Sequence, residues 1–211
     1  MGRSLSLKKA RFSPATMLQI DAPFNEPVAG VDEVGRGALF GPVVAAAVIL
    51  PAAAIEPLSR AGVTDSKRLT PQRRTVLAVQ IQQMAVCRIG LASVREIDRL
   101  NILQASLLAM RRSIDRLDPV PVLCLIDGNQ TVPGLTMPQQ TIVKGDQSSL
   151  AIAAASIVAK VWRDALIDRL AAKYPQYGLT THKGYGTIAH RQAIAQFGIT
   201  KQHRRSFRPC R

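Results

Sequence analysis

Val122-Leu123-Cys124-Leu125-Ile126-Asp127-Gly128 is the stretch that decides how this chain folds. Its first five residues are wholly apolar, the composition of a strand buried on both faces. The acid follows at the strand's end, and Gly128 then turns the chain. A charge there is costly unless it is paired or bound to a metal. The reading is therefore a central strand in a covered sheet with a chemical group at its tip.

Working outward, residues 28–34 form another short apolar run that ends in acid and glycine. Residues 43–50 follow the Gly41-Pro42 turn as a second strand, and residues 86–92 make a third. Thr70-Pro71 is a helix start, with Thr as cap and Pro in the first turn. Val76, Leu77, Ile81 and Met84 then recur at helical spacing. Residues 100–117 predict one helix with Leu103, Leu107, Met110 and Ile114 on a face, and residues 141–143 predict a short fifth strand. An Ala-rich helix is expected over residues 149–172 and another over 188–197. Strands first, then strand–helix alternation, predict an α/β fold: a mixed sheet with helices on both faces and its site at the carboxyl ends of strands.

Composition narrows the function. Across 211 residues, 28 Lys and Arg against 14 Asp and Glu leave a net charge of +14, a surplus suited to a polyanion such as nucleic acid. Nothing forms a basic amphipathic helix with a clean apolar face, so a membrane surface is disfavoured. The uncharged residues 37–55 are broken by Pro42 and Pro51 and do not predict a membrane span. Residues 1–27 are basic at first and are expected to be a flexible tail without a secretory signal, ahead of a catalytic domain over 28–211. Cys87, Cys124 and Cys210 are too scattered for a disulfide framework or a zinc site. A reducing, cytoplasmic location is expected.

Three acidic positions fall at predicted strand ends: Asp32-Glu33, Asp127, and Asp146 within Lys144-Gly145-Asp146. In so basic a chain, gathering four of fourteen acids at one sheet edge makes an oxygen-rich nest for Mg²⁺ or Mn²⁺. Two such ions would clamp a phosphodiester. Adjacent strand residues point to opposite faces, so Asp32 and Glu33 can share a site only where the strand ends or bulges. Gly35-Arg36-Gly37 lacks the third glycine of a dinucleotide fingerprint and reads either as a loop that lets backbone approach a ligand or as an ordinary tight turn. Ser66 and Lys67 offer a hydroxyl and a cation to phosphates, as Ser156 and Lys160 do on one helix face. Lys183 and Tyr185 lie in a loop of interleaved aromatics and glycines suited to stacking on a sugar or base. His182, His190 and His203 lack metal-ligand spacing and read as ordinary polar residues.

These blocks resemble ribonuclease HII in order: Val31-Asp32-Glu33-Val34-Gly35-Arg36-Gly37, Asp65-Ser66-Lys67, Ile126-Asp127-Gly128-Asn129, Lys144-Gly145-Asp146, Ala153 to Lys160, and His182-Lys183-Gly184-Tyr185-Gly186-Thr187. The resemblance implies a ribonuclease H-like sheet with a helical carboxyl-terminal region. It implies Asp32, Glu33, Asp127 and Asp146 as metal-binding carboxylates using Mn²⁺ or Mg²⁺. It implies Gly35, Arg36 and Gly37 as the loop that senses a ribose 2′-hydroxyl, with Tyr185 aiding this and stacking on the next deoxyribose. The implied activity is endonucleolytic hydrolysis of RNA in RNA–DNA hybrids and nicking 5′ of ribonucleotides in duplex DNA. The products would carry 3′-hydroxyl and 5′-phosphate ends, and a monomer is expected. Ribonuclease HIII is the near rival; its loop resembles Gly-Thr-Gly, against Arg36 here, and residues 1–27 are too few for its extra domain. A catalytically silent hybrid-binding module and a strand-transferring enzyme on the same fold are the alternatives from other classes.

Overall fold

The computed structural model describes residues 26–211, so the basic tail expected over residues 1–27 lies, but for its last two residues, outside the described part. Five strands form one sheet: β1 (Val28–Val34), β2 (Val43–Ile49), β3 (Val86–Ala92), β4 (Leu123–Asp127) and β5 (Gln139–Ile142), in the order β3-β2-β1-β4-β5. β1 runs antiparallel to β2, and β2 to β3, while β1–β4 and β4–β5 are parallel. The expected mixed sheet is what forms.

Alternation along β2 builds the two cores. Val43, Ala45, Ala47 and Ile49 face one apolar cluster, and Ala46 and Val48 face the other. α3 (Val94–Leu100) and α4 (Ile102–Ile114) cover the first face. α1 (Ala52–Arg60), α2 (Pro71–Met84) and the long α5 (Leu150–Ala171) cover the second. α5 lies directly on β1 at Gly30, where a Cβ would sit 2.1 Å from the Ala151 carbonyl carbon, so only glycine permits that approach. α6 (Leu179–His182) and α7 (Ile188–Phe197) belong to a third, smaller cluster around Phe40, Ile167, Tyr177 and Ile194.

Three departures have local causes. The helix expected over residues 100–117 is shorter, Ile102–Ile114: Asn101 at φ 71° separates it from α3, which the sequence reading lacked, and caps it by accepting from Leu103 and Gln104 N–H at 2.9 and 3.1 Å. α1 had no counterpart in the sequence reading, since Pro57 lies inside it. β5 starts at Gln139 rather than 141, drawn into register by β4 pairing from Cys124↔Gln139 onward. The outer strand β3 is closed to further pairing: Arg88, Arg116 and Arg112 donate to the Cys87, Ile89 and Leu91 carbonyls at 3.0, 3.0 and 2.8 Å. All three cysteines are free. No helix among the described residues is long and apolar enough to cross a membrane.

Candidate active site

The acids gather where β1, β4 and β5 end. β1 is not bulged: its ladder with β2 runs regularly through Asp32↔Ala46, Glu33↔Ala45 and Val34↔Val44. Its parallel ladder with β4, however, stops at Val31↔Ile126, so the two strands part just before the acids. The expected strand end is therefore present on one side only. Asp32 leaves toward α5, where the Ser156 hydroxyl bonds it, and Glu33 leaves toward the other face, where Arg36 meets it at 3.1 Å. Asp127 closes β4 and accepts the Gly145 N–H at 2.7 Å, which ties it to the turn carrying Asp146. That turn follows β5, with Lys144 at φ 58° ahead of a short 3₁₀ segment, Gly145–Gln147.

Their electrostatics show crowding. Burial raises the Asp32 carboxyl well above its usual range, and repulsion from Glu33 and Asp127 adds to this. Burial raises Glu33 as well, with Arg36 opposing. Asp146 is pushed up to about 6 by burial and then by Asp65 and Asp127, against the pull of Lys67, whose amine lies 4.0 Å away. Partial burial works against the Lys67 ammonium, yet Asp146, Asp65, Asp32 and Asp127 together raise it. One lysine thus feels four acids from four separate segments.

Among the described residues no three potential ligands are already drawn into a metal-binding group. The carboxylate oxygens face protein donors instead: Glu33 N–H for Asp32, Arg36 for Glu33, Gly145 N–H for Asp127. The donor set is all carboxylate oxygen, and its mutual repulsion is what a hard divalent cation would relieve, so the residues fit such an ion.

A second wall stands beside the acids. Ala38 bridges Tyr185 across an isolated antiparallel pair, and Leu39 N–H donates to the Gly184 carbonyl at 2.8 Å, so the loop at 35–37 and the Tyr185 loop are neighbours. Gly35 has φ 91°, and a Cβ there would sit 2.1 Å from Arg163 Nε. Gly37 differs: a Cβ would meet nothing within 4 Å, and Arg36 beside it is exposed. Lys160 lies 5.9 Å from the Tyr185 ring centre and pairs with Asp164 at 2.8 Å, while Lys183 pairs with Asp168.

Ser66 and Ser156, expected to meet the substrate, are turned inward. Both are buried and bond each other at 2.9 Å, which leaves Ser156 as a brace for Asp32. Two features were missed in the sequence. Asp65 is buried against Asp146, although in the Asp65-Ser66-Lys67 block only Ser66 and Lys67 were given a role. His190 and His203, read as ordinary polar residues, are fully buried. Thr200 N–H donates to His203 Nδ1 at 2.9 Å, so His203 carries its proton on Nε2 and faces His190 Nε2 at 3.3 Å. His190 Nδ1 then donates to the Tyr185 carbonyl at 3.0 Å. No sequence signal marks this chain, because 13 residues separate the two rings.

The family model for ribonuclease HII matches residues 29–210. The chain belongs to the ribonuclease HII family. The ribonuclease HII of Acaryochloris marina is 64% identical over 187 residues, covering 88% of this chain and 94% of that protein. That of Trichodesmium erythraeum is 63% identical over 194 residues, covering 92% of each. Among solved structures, the ribonuclease H2 from Pyrococcus horikoshii OT3 superposes with a TM-score of 0.73 at 28% identity, covering 87% of this chain and 95% of that one. Bst-RNase HIII in complex with Mn²⁺ shares the fold, with a TM-score of 0.73 at 21% identity over 97% of this chain and 74% of that one. As a member of this family the chain is an enzyme, an endonuclease of RNA strands on a ribonuclease H-like sheet.

Proposed function

We propose that this chain acts on RNA–DNA hybrids and on DNA duplexes containing embedded ribonucleotides, hydrolysing the bond 5′ of a ribonucleotide to leave 3′-hydroxyl and 5′-phosphate ends. Residues 28–211 would be the catalytic domain, working as a monomer in the cytoplasm. The reading is supported most by the meeting of Asp32, Glu33, Asp127 and Asp146 beside an open glycine loop, with burial and mutual repulsion raising Asp32 and Asp146. Two divalent cations, Mn²⁺ or Mg²⁺, held by these four carboxylates would stabilise charge on the attacking and leaving oxygens.

The remaining roles fall to the chain's own groups. Ser156, backed by Ser66, fixes the rotamer of Asp32. The Gly145 N–H holds Asp127 toward Asp146. Gly35, Arg36 and Gly37 present backbone to the ribose 2′-hydroxyl, the one group that separates RNA from DNA at a nucleotide. Tyr185 stacks on the following deoxyribose, and Lys67, Lys160 and Lys183 neutralise flanking phosphates.

The decisive experiment offers a DNA duplex with one ribonucleotide, an all-DNA duplex and a long hybrid, each with Mg²⁺ or Mn²⁺. The expected product is a single nick 5′ of the ribonucleotide with the all-DNA control intact. Cleavage of the hybrid alone would overturn the recognition assigned to residues 35–37. No cleavage of any duplex would overturn the whole reading.

A further inference from the structure

Arg163 on α5 and Arg204 have the largest fully buried side chains among the described residues, both at 0% exposure. Among the described residues neither has a carboxylate within ion-pair distance. Their donors go to backbone carbonyls instead. Arg163 binds Pro42, Phe40 and Lys183 at 3.2, 3.1 and 3.0 Å. Arg204 binds Gly41 and Arg36 at 3.0 and 2.8 Å, while its Nη2 has no partner among the described residues.

Two unneutralised cations side by side in a protein interior are costly. Burial, and then Arg163, push Arg204 down to about 9. Apolar side chains of the same length would fill the space at lower cost, so what the arginines add is directional: five carbonyls held at fixed points. Four of those carbonyls belong to residues 36–42, and the fifth, Lys183, opens the Tyr185 loop. Arg163 also lies 5.6 Å from the Tyr185 ring centre and occupies the space that a Cβ on residue 35 would need.

We infer that Arg163 and Arg204 are positioning residues for ribonucleotide recognition, two buried guanidiniums that hold the loop at residues 35–37 and the Tyr185 loop at a fixed separation. The inference rests on the function proposed above. A single embedded ribonucleotide offers one 2′-hydroxyl at one register, so a loosened loop misses it. An RNA tract offers a 2′-hydroxyl at every register, so a shifted loop still finds one.

The test compares wild type with Arg163→Met, Arg204→Met and Arg204→Lys on a single-ribonucleotide duplex and on a hybrid, with folded fraction measured by circular dichroism. Arg204→Lys keeps the buried cation but offers its donors from one nitrogen instead of a planar fork, and it serves if the Met variants do not fold. The expected result is a kcat loss of about tenfold or more on the single ribonucleotide, KM nearly unchanged, and a clearly smaller loss on the hybrid. Equal losses on both substrates that track the folded fraction, or no loss at all, would overturn the inference while leaving the active wild type intact. An inactive wild type would instead remove the functional reading and the inference with it.

Discussion

The carboxylate corner and the wall formed by residues 35–42 and 183–204 lie side by side but are built with opposite charge logic. The corner collects anions at strand ends, and burial and repulsion lift Asp32, Glu33 and Asp146 toward their neutral forms. The wall collects donors: buried Arg163 and Arg204 on backbone carbonyls, and neutral His190 and His203 in a hydrogen-bonded chain to Tyr185. The corner is held in conflict by a rigid sheet, whereas loops with no ladder of their own need specific donors to hold their shape. An acid can therefore be neutralised in the corner without loosening the fold, while a change in the wall moves backbone.

The largest predicted effect lies in the corner. Asp127→Asn should lower kcat by about a thousandfold, the scale for removing a group that stabilises developing charge. Hybrid binding in a mobility-shift assay and the melting temperature should both hold, since the amide oxygen still accepts from Gly145. A melting temperature that fell with the activity would mean that the corner is structural as well.

Next come the two glycines of one loop. Gly35→Ala forces a Cβ onto Arg163 at positive φ and should destabilise by about 1–3 kcal/mol in urea unfolding. Gly37→Ala meets open space, so its unfolding midpoint should stay put while cleavage at a single ribonucleotide falls. Equal destabilisation by both would erase the contrast between the braced and open ends of the loop.

A pH titration of stability, done with chelator present, should separate the regions by sign. Asp146 is raised from 3.8 to about 6, so between those values the native state binds more protons than the unfolded one and stability falls as pH rises. His203 is lowered from 6.5 to about 4, first by burial and then by His190, so the unfolded state binds more protons there and stability rises with pH. Asp146→Asn should remove the falling component and His203→Gln the rising one. Slopes that do not diverge in the two variants would refute this division.

The smallest effect belongs to a site remote from both. Ser93 caps α3 in a capping box with Glu96, which Arg112 and Ser93 hold down at about 2. Ser93→Ala should cost about 1 kcal/mol in urea unfolding and leave cleavage of both substrates unchanged.

The corner was legible in the chain because its signals are local. Asp127, after a wholly apolar run and before Gly128, marks a strand tip, and Asp32-Glu33 and Asp146 beside glycines at two further predicted strand ends complete a sheet edge rich in carboxylate. Apolar runs likewise located β1 and β3, and helical spacing behind the Thr70-Pro71 start located α2, because burial imposes such patterns wherever the element sits. α3 went unread, since seven residues carry too short an apolar pattern to mark a helix, and left-handed Asn101 parts it from α4. The wall was illegible for a different reason. Arg163 and Arg204 look like any of the 28 basic residues, and only packing shows that they are buried and bound to carbonyls more than 100 positions away. Ser66 and Ser156, 90 residues apart, acquired their inward bond in the same way. Sequence determines what each segment must bury and which residues carry charge. Tertiary structure decides which donor meets which acceptor, because those pairings depend on distances through space that neither the order nor the period of residues encodes.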